Sequence, residues 1–204
     1  MLKRLLILVL LVIPPAGIAA PAPVILVLGD SLSAAYGINQ NAGWVALLQK
    51  RLTEQSYNYR VVNASISGAT TRGGLSRLDQ TLQTYKPAII VLELGANDGL
   101  RGLTLQEMRG NLSAIIEQSR RNRAKVLLVG MRLPPNYGPA YTKKFHDIYV
   151  DLASRYRIPL VPFLLEGVAT DFSLMQSDGL HPTAAAQPMM LENVWEEMRG
   201  MVRK

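Results

Sequence analysis

Four short runs hold residues whose chemistry could work together: Gly29-Asp30-Ser31-Leu32, Asn63-Ala64-Ser65-Ile66-Ser67-Gly68, Gly95-Ala96-Asn97-Asp98 and Asp178-Gly179-Leu180-His181. A serine hydroxyl is a poor nucleophile until a base takes its proton, and that base must be held in the right tautomer by a third group. The chain has two histidines. His146 lies in a helical pattern between Phe145 and Asp147 with no serine motif near it, and reads as a surface or packing residue; His181 is then the base by elimination. Asp178 stands three residues earlier, so on a tight turn its carboxylate can accept the Nδ1–H bond. The same Asp-x-x-His spacing also suits a capping pair at a helix start. Acyl transfer further needs N–H donors aimed at a developing oxyanion. Gly68, without a side chain, lets its backbone N–H approach a ligand closely, and the Asn97 amide can donate from a neighbouring strand end. Each has an ordinary alternative, since glycines end strands and Asn97-Asp98-Gly99 is a common turn sequence. Serine, glycine, asparagine and histidine arriving at one place is what points to ester chemistry.

That meeting requires elements to position it. Val24-Ile25-Leu26-Val27-Leu28, Val61-Val62, Ile89-Ile90-Val91-Leu92, Val126-Leu127-Leu128-Val129 and Leu160-Val161 are short, apolar and rich in β-branched residues, as expected of strands buried on both faces of a parallel sheet. Between them, helical spacing relates Trp44, Leu47, Leu48 and Leu52, then Leu75, Leu78, Leu82 and Tyr85. It returns in Leu105, Met108, Leu112, Ile115 and Ile116 behind a Thr104–Glu107 capping box, in Phe145, Ile148, Tyr149 and Leu152, and in Leu191, Val194, Trp195 and Met198. Strict alternation predicts an α/β three-layer sandwich with a five-stranded parallel sheet in the flavodoxin-like order 2-1-3-4-5. In such sheets ligands bind outside the carboxyl ends of the strands. The four runs follow strands one, two, three and five, with Pro182 expected to open the last helix.

Lys3-Arg4, the apolar run Leu5 to Ile13 and the small residues Gly17, Ala19 and Ala20 form the pattern of an export signal over residues 1–20. One domain is expected over 23–204, with a periplasmic or secreted location for the mature protein. With no cysteine there can be no disulfide framework, thiolate zinc site or thiol nucleophile. The formal charge of +7 includes Lys3 and Arg4, and the remaining excess does not demand nucleic acid. The basic run Arg120 to Lys125 falls at a helix C-terminus, where cations complement the macrodipole. Neither phosphate-binding glycine motif follows a strand, which disfavours nucleotide binding.

The four runs resemble the four blocks of the SGNH, or GDSL, hydrolase family, and the likeness extends over nearly the whole mature chain. Within the family the chain is most similar to the bacterial periplasmic multifunctional thioesterase/lysophospholipase/arylesterase group. That group carries runs like Asn63 to Gly68, Glu93 to Gly102 and Met131-Arg132-Leu133-Pro134-Pro135-Asn136-Tyr137-Gly138. No G-x-S-x-G elbow is present, and Ala96 stands where close relatives often carry a second glycine. The resemblance implies a serine hydrolase of acyl esters and thioesters that needs no metal or cofactor. In it Ser31 is nucleophile, His181 base, Asp178 its orienter, and the Ser31 N–H, Gly68 N–H and Asn97 amide are the oxyanion hole. It also implies a mobile loop at Gly99 to Thr104 and an acyl-pocket wall including Met131, Arg132, Leu133 and Pro134. Arg132 either steers an anionic headgroup or pairs within its loop, and Asp30 either polarises the site or caps backbone N–H groups. Small-molecule esters, transient lipid contact and a monomer are expected. Two other readings are an acetylesterase acting on carbohydrate and a non-catalytic flavodoxin-like module.

Overall fold

The apolar runs become five strands, β1 (Val24–Gly29), β2 (Arg60–Asn63), β3 (Ile89–Glu93), β4 (Lys125–Val129) and β5 (Leu160–Val161), all parallel and ordered β2-β1-β3-β4-β5 as expected. The computed structural model describes residues 21–204, so the expected export signal lies outside the described residues. Among those described, no helix is long and apolar enough to cross a membrane. Strands β1 and β3 are buried throughout, and β4 from Val126 onward. The expected burial fails at the edges, because β2 and β5 each lack a neighbour on one side and β2 sends Arg60 and Asn63 to solvent.

Among the described residues seven α-helices surround the sheet: α1 (Trp44–Glu54), α2 (Thr71–Ser76), α3 (Leu78–Tyr85), α4 (Ala96–Leu100), α5 (Leu105–Arg121), α6 (Pro139–Tyr156) and α7 (Gln187–Met198). Helices α1 and α7 pack together on one face, with the Trp44 N–H donating to Gln187 Oε1 at 3.0 Å; α5 packs with α2 and α6 on the other. The helical faces read from the sequence meet the strands in one continuous apolar core running from Ile25 to Val202.

Three local expectations are corrected. The helix expected through Leu75 and Tyr85 is two helices, broken at Arg77, whose guanidinium turns away to the Ala64 carbonyl. Asn97-Asp98-Gly99 is helical, within α4. Pro182 does not open the last helix: it pairs with Met175 in an antiparallel bridge, and α7 starts at Gln187 with Pro188 in its first turn. Thr104 does cap α5, accepting the Glu107 N–H at 3.2 Å, while the Glu107 carboxylate pairs outward with Arg72.

Candidate active site

Register brings the first elements of the site together. Gly29 lies opposite Glu93, so the turn leaving β1 and the helix leaving β3 start side by side. Beyond β5 the chain folds into a hairpin held by Gln176 N–H donating to His181 O at 2.7 Å and Thr183 N–H to Leu174 O at 2.7 Å. The Gln176 amide also donates to Tyr36 O at 2.8 Å and Pro182 O at 2.9 Å, tying this hairpin to the turn that follows Ser31.

The result is a continuous relay. His181 Nε2 lies 2.9 Å from Ser31 Oγ, and His181 Nδ1 lies 2.6 Å from Asp178 Oδ2. Asp178 Oδ1 meanwhile accepts the backbone N–H groups of Leu180 at 2.9 Å and His181 at 3.0 Å. The orienting reading of Asp-x-x-His matches this geometry, one carboxylate oxygen reaching the ring; the other caps a tight turn and not a helix start, since α7 begins only at Gln187. These bonds, led by the His181 N–H, hold the Asp178 carboxyl down at about 2. The Tyr36 ring lies against the imidazole, 4.5 Å between centroids.

The candidate oxyanion donors differ in how they are engaged. The Ser31 and Gly68 N–H groups have no acceptor among the described residues. Gly68 sits at φ 77°, in the left-handed region that glycine occupies without strain. The Asn97 Nδ2 atom, by contrast, lies 3.1 Å from both Asp30 Oδ2 and Ala69 O, so both its N–H groups already have acceptors. Asp30, buried, also accepts the Leu32 N–H at 3.0 Å and so caps the turn as one reading expected. Burial pushes its carboxyl up to about 6, against the lowering effect of the Leu32 and Asn97 bonds.

Beside the relay opens a cavity of about 450 Å³, within the usual range for small-molecule sites. Met131, Arg132, Leu133 and Pro134 all line it, as do Ser31, Asn97 and His181, whereas Gly68 lies outside its wall. Arg132 pairs with Glu166 at 3.7 Å and stands 5.2 Å from the Phe163 ring centroid, so its partners lie in the segment after β5 and not within its own loop. His146 is half-buried on α6 with Nδ1 3.3 Å from Met131 O, and has no hydrogen bond to Ser31, Asp178 or His181.

Several contributors escaped the sequence reading. Phe163, Leu165, Met175 and Leu180 complete the apolar wall. Buried Asp98 anchors α4 to α2 by accepting the Thr71 N–H at 2.8 Å and the Thr71 hydroxyl. Glu93 could have been noticed as a carboxylate ending an otherwise apolar strand; Tyr36 and Gln176 carry no such signal. Among the described residues, no group of three His, Asp or Glu side chains is gathered as metal ligands would be.

The chain's likeness to known proteins accords with this geometry. The model of the GDSL-like Lipase/Acylhydrolase family matches residues 27–187. Esterase TesA of Pseudomonas aeruginosa is 52% identical over 183 residues, covering 90% of this chain and 91% of that protein. The Escherichia coli K12 protein named Thioesterase 1/protease 1/lysophospholipase L1 is 41% identical over 184 residues, covering 90% and 87%. A crystal structure of TesA shares the fold with a TM-score of 0.86 at 52% identity, covering 87% of this chain and 99% of that one.

Proposed function

The chain belongs to the GDSL-like lipase/acylhydrolase family and is a serine ester hydrolase, and we propose that Ser31, His181 and Asp178 carry its reaction on acyl esters and thioesters. The observation that supports this most is the unbroken relay of 2.6 Å and 2.9 Å contacts ending at Ser31 on the rim of an apolar cavity.

As Ser31 Oγ attacks the acyl carbonyl, His181 Nε2 takes the hydroxyl proton, and Asp178 holds the ring through Nδ1–H and stabilises the imidazolium. The oxyanion is met by the unspent N–H groups of Ser31 and Gly68, and by one Asn97 N–H shared between the oxyanion and its present acceptor. Collapse expels the alcohol or thiol, which receives its proton from His181 Nε2 and leaves an acyl-Ser31 ester. His181 then deprotonates a water, which attacks that ester; collapse releases the carboxylic acid and returns the proton to Ser31 Oγ. The acyl chain lies along Leu100, Met131, Leu133, Phe163, Leu165 and Met175. This favours medium or long chains, and lysophospholipids and acyl-coenzyme A thioesters are the proposed natural class. Export through residues 1–20 would place the mature enzyme in the periplasm or outside the cell, and a species retaining those residues in the native compartment would contradict it.

A fluorophosphonate probe should label the wild-type enzyme once and Ser31→Ala not at all. Across p-nitrophenyl esters, kcat/KM should rise with chain length, each buried methylene contributing about 0.8 kcal/mol, or about fourfold. Labelling of Ser31→Ala would remove the nucleophile assignment. An efficiency highest on acetylated polysaccharide and falling with chain length would replace the acyl-chain reading with a carbohydrate acetylesterase.

A further inference from the structure

Two buried carboxyl groups lie beneath the proposed nucleophile. Glu93 is fully buried at the end of β3, and Asp30 is 1% exposed one residue before Ser31. They are neighbours across the β1–β3 pair, where Gly29 lies opposite Glu93. Glu93 Oε2 accepts the Asp30 N–H at 3.1 Å and the Ser33 hydroxyl at 2.6 Å. Glu93 Oε1 is enclosed with no hydrogen-bond partner. None of the ion pairs among the described residues includes either group. The other titratable groups facing the pair are His181, Asp98 and Tyr149.

Two full negative charges side by side, out of water and without a cation, are strongly disfavoured. An ionised Glu93 would also leave a charged oxygen bare. One proton on Glu93 removes both problems, turning a repelling pair into a donor and an acceptor. Burial and the Asp30 charge both push the Glu93 carboxyl well above the usual carboxylate range. Both Asp30 oxygens already accept N–H groups, Leu32 on Oδ1 and Asn97 on Oδ2, whereas Glu93 Oε1 accepts none, so the proton resides on Glu93 and Asp30 is the charged acceptor. The chain makes room for this: a Cβ on Gly29 would stand 2.5 Å from Glu93 Oε2 and 2.8 Å from Ser33 Oγ.

We propose that Glu93 is a positioning residue of the hydrolase, a neutral carboxylic acid whose hydrogen bond to Asp30 fixes the Asp30–Asn97 contact and so aims the Asn97 amide. The proposal rests on Asn97 being an oxyanion donor, and it assigns no substrate contact to Glu93.

Infrared spectroscopy of the purified enzyme at neutral pH tests it directly. A carboxylic-acid C=O band should be present, should shift when glutamate is carboxyl-¹³C labelled, and should vanish in Glu93→Gln. Glutamine keeps a neutral donor toward Asp30, so this variant should retain kcat within about threefold. Glu93→Leu cannot donate, and should lose kcat by about tenfold or more with KM little changed, short of the full cost of deleting an oxyanion donor. Absence of the isotope-shifted band, a glutamine variant as impaired as the leucine variant, or a folded leucine variant with wild-type kcat would each overturn the proposal. Should Glu93→Leu fail to fold, the labelled band and the glutamine kcat still decide. A wild-type kcat in Asn97→Ala would instead overturn the oxyanion reading, leaving the band as the sign that only the proton's location was right.

Discussion

The two ends of the sheet each carry a cavity and a concentration of charge, but their charges are held very differently. At the carboxyl end, Asp30, Glu93 and Asp98 are buried, and each is engaged by named donors; Asp178, although exposed, is locked to three N–H groups of the His181 turn. At the amino end, a concavity of about 360 Å³ is lined by Arg120, Arg123, Lys125 and Arg157 with no acidic side chain in its wall. All four are exposed. Among the described residues, the Arg120 guanidinium donates only to the Tyr156 carbonyl, and the Lys125 ammonium only to the Met201 carbonyl. Charge density and cavity size thus mark both ends alike. Desolvation and mutual hydrogen bonding separate them, because holding unlike polar groups out of water in one geometry is costly and persists where the geometry is used.

Breaking the relay should produce the largest effect. His181→Ala should lower kcat/KM by about 10⁴–10⁶-fold, as removal of a triad base does, with the fold intact. His146→Ala, the matched control, should stay near wild type. A reversed outcome in steady-state assays would mean that the base had been assigned to the wrong histidine. Treatment with a chelator should leave wild-type activity unchanged.

Next in size is Asn97, the donor whose two N–H groups are already engaged. Asn97→Ala should cost about 10²–10³ in kcat with KM little altered, since the donor is needed mainly in the transition state. A folded variant with lowered melting temperature and normal kcat would show that Asn97 serves only to join Asp30 to Ala69, leaving Ser31 and Gly68 as the hole.

What was legible before the structure follows the same division. Strand order and the convergence of Ser31, Asn97 and His181 came from apolar runs and the residues ending them, which are local features that topology rules extend across the sheet. Glu93 and Ser33, or Asp98 and Thr71, could not be paired that way. Their partners lie 60 and 27 residues away, and the meaning of each carboxylate depends on burial that no local pattern encodes. Pro182 misled because a proline before a helical pattern is equally at home in a bridge, and Arg77 because the apolar spacing runs unbroken through the point where its side chain leaves the helix.

The buried and exposed acids should also separate in their pH dependence. Asp30 has its carboxyl raised from 3.8 to about 6, so the folded state holds its proton more tightly than the unfolded chain does. Stability should therefore fall as pH rises from 3.8 to about 6, and Asp30→Asn should remove the Asp30 part of that slope while the part from the buried Glu93 carboxyl remains. Asp178 is shifted the other way, from 3.8 to about 2; its contribution is complete above 3.8 and is lost as pH falls through about 2. Melting temperatures measured across both windows test the two signs, and a wild-type stability that rose between 3.8 and 6 through an effect abolished by Asp30→Asn would contradict the first.

The smallest effect is expected at the amino end. Arg123 and Arg157 sit at φ 64° and 50°, just beyond α5 and closing α6, where glycine is the usual residue. Left-handed backbone costs an ordinary residue about 1–2 kcal/mol, whereas glycine gives back about 0.4–1 kcal/mol through its freer unfolded chain. The double substitution Arg123→Gly/Arg157→Gly should then be neutral to stabilising by up to about 3 kcal/mol, raising Tm by no more than about 10 °C for a chain of this size. It also deletes two of the four cations in the amino-end wall. If the mutual anchoring at the carboxyl end is what makes a site, kcat and KM on a neutral p-nitrophenyl ester should not move. A tenfold loss with the fold and Tm preserved would show that the loosely held cations are coupled to catalysis, and the contrast between the two ends would no longer hold.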